Sequence, residues 1–208
     1  MSHAVSTNPK HCKVFLLGTS ALVCLALAAP VMADDFVITG SDNSTNGTGT
    51  TNGGTAAAIA DTAINGSDTV SLGIALTTTG TNVGIKTNNN DTEAESNTVT
   101  VTGTGSITTG TGNNAYGIFN DGAYNTTTVS GSITTAGDSG YGIYNFGTSN
   151  TTTLSGSIKT TGDLADGIIN FGDTNETTVS GSIEITGDDG YGIHNSGNNN
   201  TTTLSGSI

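Results

Sequence analysis

The chain has 208 residues, of which Gly, Thr, Asn and Ser supply 114, against five Phe, five Tyr and no Trp or Arg. So few large apolar side chains exclude the packed multilayer core of an ordinary globular enzyme. The formal charge of −13 repels phosphate backbones and argues against nucleic-acid binding.

In chain order, residues 1–33 differ in kind from the rest. Lys10 and Lys13 precede an apolar stretch from Val14 to Ala29, broken only by Gly18, Thr19 and Ser20, that ends at Pro30-Val31-Met32-Ala33. The stretch is shorter than the roughly twenty residues that span a bilayer. Val31 and Ala33 are small enough for a signal-peptide cut before Asp34, and Ala26 with Ala28 offers a second cut. Cys24 raises a lipid-anchor reading, which the bulky Leu22 and Val23 before it disfavour. Cys12 and Cys24, the chain's two cysteines, both fall in the leader, so the exported part holds no thiol and no disulfide. It keeps Lys86 and Lys159 against all seventeen acids, near −15. No later segment is apolar and long enough to cross a membrane as a helix, so no integral membrane segment is expected after the leader.

Residues 34–68 are rich in Asn, Gly and Thr and show no register. They are expected to be irregular or to cap the first repeat. Residues 69–208 repeat. Asn125-Thr-Thr-Thr-Val-Ser-Gly-Ser-Ile133 returns at Asn150, Asn175 and Asn200, a step of 25 residues, with Glu176 the one charged replacement. The other half of the unit keeps the same step, as Tyr116-Gly-Ile-Phe-Asn120, Tyr141-Gly-Ile-Tyr-Asn145, Asp166-Gly-Ile-Ile-Asn170 and Tyr191-Gly-Ile-His-Asn195. Weaker copies lie upstream at Val99 to Ile107 and at Asn82 to Ile85.

Each unit holds three short runs rich in β-branched residues, separated by Gly131, by Ala136 to Gly140 and by a corner around Gly147. Three strands per 25 residues is the arithmetic of one coil of a parallel β-solenoid, an all-β fold in which each coil pairs with the next. Val129, Ile133 and Ile143 then face inward, with Leu154, Ile158 and Ile168 and then Val179, Ile183 and Ile193 stacked over them. Thr127 and Gly131 share the inner face, whereas Thr126, Thr128, Ser130 and Ser132 face out. Three aliphatics per coil are too few to order 25 backbones by burial alone. Backbone pairing between coils must supply the rest, aided by an amide ladder at Asn120, Asn145, Asn170 and Asn195. Gly122, Gly147, Gly172 and Gly197 suit a corner of positive φ.

Repeats of the form Gly-Ser-Ile-x-Thr-Thr-Gly-Asp-x-x-Tyr-Gly-Ile-x-Asn-x-Gly, cysteine-free and behind a signal peptide, resemble the passenger regions of Gram-negative autotransporters, the outer-membrane proteins of type V secretion. The resemblance covers about residues 69–208. It implies a right-handed β-helix at the cell surface, reached through the periplasm and outer membrane and commonly acting as an adhesin on a protein or glycan of a host or neighbouring cell. It also implies a C-terminal translocator barrel in the full-length protein. Because the repeats run to Ser207-Ile208 in mid-coil, the chain is expected to be a fragment of a longer product.

Candidate sites are few. Gly137-Asp138-Ser139-Gly140 mimics the surroundings of a serine nucleophile, but its equivalents, Gly162-Asp-Leu-Ala165 and Gly187-Asp-Asp-Gly190, carry no serine. Asp138, Asp163 and Asp188 form a carboxylate column that solvated acids explain better than calcium, which wants six to eight oxygens. His194, whose equivalents are Phe119, Tyr144 and Ile169, reads as a surface or corner residue. Outward pairs such as Thr126 and Thr128 or Thr151 and Thr153 resemble an ice-binding lattice, which Glu176 interrupts. Tyr116, Tyr141 and Tyr191, broken by Asp166, form either a packed corner column or a sugar-stacking stripe. The sequons at Asn125 and Asn150 follow from the repeat. No catalytic, cofactor-binding or metal-ligating residue is assigned. The expected role is therefore binding and display, with a polysaccharide-cleaving β-helix enzyme and a calcium-stabilised surface protein as the alternatives.

Overall fold

The computed structural model describes residues 35–38, 69–73, 75–88, 93 and 96–208. The leader and most of residues 34–68 lie outside the described residues. Those described form seventeen strands of three or four residues and no α-helix, so no helix among them is long and apolar enough to cross a membrane. Val, Ile and Thr fill the strands, as their stiff branched side chains favour, and Gly, Asp, Asn and Ser fill the corners between them.

The strands form three sheets. The first holds β1 (Asp35–Ile38), β2 (Thr69–Leu72), β5 (Thr98–Val101), β8 (Thr126–Val129), β11 (Thr151–Leu154), β14 (Glu176–Val179) and β17 (Thr201–Leu204). The second holds β3 (Ala75–Thr77), β6 (Ser106–Thr108), β9 (Ser132–Thr135), β12 (Ser157–Thr160) and β15 (Ser182–Ile185). The third holds β4 (Ile85–Asn88), β7 (Ile118–Asp121), β10 (Ile143–Phe146), β13 (Ile168–Phe171) and β16 (Ile193–Ser196). All pairings are parallel, and from β7 onward each residue pairs with the residue 25 positions later, as in Val129 with Leu154 and Ile143 with Ile168. This is the β-solenoid that the repeat predicts, with three strands per coil.

Upstream the coils are longer. Ile85 pairs with Ile118 and Thr98 with Thr126, steps of 33 and 28, while the strands keep their lengths of three or four residues. One strand also precedes residues 69–208: β1 pairs with β2, with Phe36 in register with Val70 and Ile38 with Leu72.

Alternation decides the core. Val129, Ile133, Ile143, Leu154, Ile158, Ile168, Val179 and Ile183 are buried in one continuous stack. Thr127 and its equivalents Thr152 and Thr177 are buried beside it. The neighbouring Thr126 and Thr128 are exposed or half-buried, as the period of two requires.

Two amide ladders run along the axis. In the first, Asn120, Asn145 and Asn170 each donate from Nδ2 to Oδ1 of the asparagine one coil on, at 2.7 Å. The same nitrogens reach Thr127, Thr152 and Thr177 Oγ1 at 2.9, 3.0 and 3.0 Å. In the second, the backbone N–H of Asn125 donates to Asn150 Oδ1 and that of Asn150 to Asn175 Oδ1, both at 2.8 Å. Their side-chain nitrogens both satisfy the carbonyl of Gly122. Buried amides are thereby paired with one another along the stack.

The corners carry the backbone's left-handed residues. Gly122, Gly147, Gly172 and Gly197 have φ of 120°, 147°, 141° and 155°. Ser139, Leu164 and Asp189 hold φ of 50°, 55° and 57°, and Ser149, Thr174 and Asn199 hold 58° at the other corner. Coil-to-coil bonds from these same residues, such as Ser139 N to Asp163 O at 2.8 Å and Leu164 N to Asp188 O at 2.8 Å, offset the strain.

Candidate functional site

The outward side of the third sheet and the corner before it carry an aromatic cluster. Tyr116 and Tyr141 stand just before β7 and β10, and their rings stack at 5.2 Å with planes 5° apart. Phe119 and Tyr144, register partners at the second positions of those strands, stack at 5.1 Å and 16°. Phe146 and Phe171, which close β10 and β13, stack at 5.5 Å and 11°. Edge-to-face contacts join the ladders, with Tyr116 against Phe119 and Tyr144, and Tyr144 against Phe146.

Phe146 and Phe171 are the most open of the six, at 43% and 47% exposure. The tyrosines are half-buried, and this raises their phenol pKa values. Tyr116 is pushed up to about 12 by burial, then by Tyr141 and Tyr144. Tyr141 is raised by burial and by the Asp166 carboxylate, against a lowering hydrogen bond from Ser139. Tyr144 is raised by burial, Tyr141 and Asp121.

The tyrosine column is thus a packed corner column as far as Tyr141, where Asp166 interrupts it. Asp166 is only 4% exposed. Its Oδ1 accepts from the backbone N–H of Tyr191 at 2.7 Å and its Oδ2 lies 3.1 Å from His194 Nδ1. The Tyr191 ring tilts over the imidazole at 5.1 Å. Two ionisable departures from the aromatic columns, Asp166 and His194, therefore meet each other, one coil apart. No motif announced this, because the residues come together only once coils stack.

The remaining candidates lie apart from this cluster. Asp138 and Asp163 are exposed, and each accepts from the backbone N–H of the aspartate one coil on, Asp163 at 3.1 Å and Asp188 at 3.0 Å. These oxygens thus serve coil pairing, and among the described residues no three His, Cys, Asp or Glu side chains form a metal-binding group. Ser139 occupies a left-handed corner. The outward threonines lie on the first sheet, where Glu176 is flanked by Thr151 and Thr201. The sequon asparagines Asn125 and Asn150 are buried in the second amide ladder, a role that their reading as sequons missed, although Asn recurs at every 25-residue step. The Phe146 and Phe171 pair was missed too, although the two residues stand one repeat apart.

No family model matches the chain, no curated protein does, and neither does any solved structure.

Proposed function

We propose that the chain is an exported, autotransporter-like passenger segment that acts at the cell surface by contact and display rather than by catalysis. One observation carries this reading. From β7 onward the inward face is taken up by the aliphatic stack and the amide ladders, so what repeats toward solvent is a set of threonine, carboxylate and aromatic columns on a regular lattice. Such a surface offers many equivalent contacts to a protein or glycan of a neighbouring cell. The cleavable leader, the cysteine-free repeats and the acidic charge support passage through the periplasm, with a translocator barrel expected in the full-length protein.

Export is tested by expressing the chain in a Gram-negative host and sequencing the N-terminus of the periplasmic product. The expected start is Asp34, and an uncut chain held in the cytosol overturns the reading. Contact rather than catalysis is tested by incubating the purified product with acidic polysaccharides. No new reducing ends are expected, and their appearance at a measurable rate would install the enzyme alternative. Chelation by EDTA is expected to leave the melting temperature unmoved, whereas a fall of many degrees would favour the calcium-stabilised alternative.

A further inference from the structure

Lys86 and Phe119 are register partners on β4 and β7. The Lys86 ammonium lies 5.3 Å from the centre of the Phe119 ring and 3.3 Å from Asp121 Oδ2, so it is held between an aromatic face and a carboxylate. The ladder explains why the cation sits there. One face of Phe119 is covered by Tyr144 in the following coil, and the other turns toward the preceding coil, where Lys86 stands. Rings inside a ladder cover one another, so only a ladder's end faces can take a cation.

The Phe146 and Phe171 ladder ends differently. The Phe171 face turned away from Phe146 looks toward the following coil, where the register partner is Ser196, too short a side chain to cover a ring. Asp173 leans into that same coil. Its Oδ1 accepts from the Asn198 backbone N–H at 2.6 Å and from Asn198 Nδ2 at 3.3 Å.

We propose that Phe171, Ser196 and Asp173 form a seat for a lysine or arginine side chain of a basic protein segment. The ring face and the carboxylate are the two groups that already hold Lys86 at the other ladder. Charge complementarity favours a protein cation over a glycan, since two lysines stand against seventeen acids after residue 33. The assignment rests on the display reading for the claim that this face meets a partner outside the cell. The seat itself is a property of the purified chain.

The test is a titration of the purified chain with tetralysine and with the same peptide acetylated at every side-chain amine, which keeps the stems and removes the charge. Amide resonances of Ser196 and Asp173 report binding. Phe171→Ala and Asp173→Asn are each expected to weaken tetralysine about threefold, as for a partly exposed cation–π contact or ion pair. Ser196→Phe, which extends the ladder over the open face, is expected to weaken it at least as much. All three variants should keep the parent's far-ultraviolet spectrum. Unchanged affinity in Phe171→Ala and Ser196→Phe, or equal binding of the acetylated peptide, overturns the seat. A neutral oligosaccharide that shifts the same resonances, and is lost in the same variants, reassigns the face to glycan and overturns it too. Failure of this titration leaves export at Asp34 standing, and failure of export leaves the titration standing.

Discussion

Asn145 ties three coils together. Its Nδ2 donates to Asn170 Oδ1 at 2.7 Å and Thr152 Oγ1 at 3.0 Å, and its Oδ1 accepts from Asn120. Asn145→Ala therefore orphans polar atoms in a site closed to water and should cost about 2–4 kcal/mol in urea denaturation. Asn145→Leu should not recover the loss, because the neighbouring amides stay unpaired; full recovery would show that the ladder is only packing. Leu164 is the opposite case. It holds φ of 55° with its side chain 57% exposed, so Leu164→Gly relieves left-handed strain with little burial lost. A gain of about 1 kcal/mol is expected by the same measurement. The Asn120, Asn145, Asn170 and Asn195 column was legible in the sequence, because identical residues at a fixed step inside a strand must stack. The second ladder at Asn125 and Asn150 was not, since its asparagines sit at corners whose φ values decide where an amide points. Leu164 was illegible for the same reason, as nothing in its residue type announces a left-handed corner.

The separators read from the sequence bound the observed strands: Ser132–Thr135 fills the interval between Gly131 and Ala136, and Ile143–Phe146 ends just before Gly147. Period-two alternation then placed Val129 and Thr127 inside and Thr126 outside without further information. Close approach between strands was the illegible part. A Cβ on Gly156 would clash with the carbonyl oxygen of Gly131 in the preceding coil, so Gly156→Ala must push two coils apart. The expected loss is about 3 kcal/mol or more, seen as a lower melting temperature, while Gly103→Ala, which meets nothing within 4 Å, should leave it unchanged. The tyrosine ladder adds a pH dependence whose sign is fixed by linkage. Tyr116 titrates higher when folded than its ordinary value of 10.0, at about 12. The folded chain thus holds its proton more tightly, the stabilisation is complete below pH 10, and it disappears as pH rises through 12. Denaturation midpoints measured from pH 9 to 12 should fall, and Tyr116→Phe should flatten the fall.

At the scale of the molecule, stability is a sum over neighbouring coils, so the strands β8 to β13, each paired on both sides, are held by two contacts apiece. Ile143 is fully buried, whereas Ile193 in β16 is only partly so. Ile143→Ala should cost about 2–5 kcal/mol and Ile193→Ala clearly less. Amide exchange should be slowest from β8 to β13, and uniform protection along the chain would contradict a nearest-neighbour sum. The solenoid was legible wherever the step was 25. It faded upstream because Ile85 and Ile118 lie 33 residues apart, and inserted residues hide a recurrence that the strands themselves preserve. The register is kept across coils of unequal length: Ile85 to Val101 spans 16 where Ile118 to Val129 spans 11, Val101 to Ile107 spans 6 where Val129 to Ile133 spans 4, and Ile107 to Ile118 spans 11 where Ile133 to Ile143 spans 10. Lengthening a coil therefore leaves the hydrogen-bonded frame alone. A molecule built this way can change coil length during its history, and an engineer can vary it, while every paired strand keeps its partner.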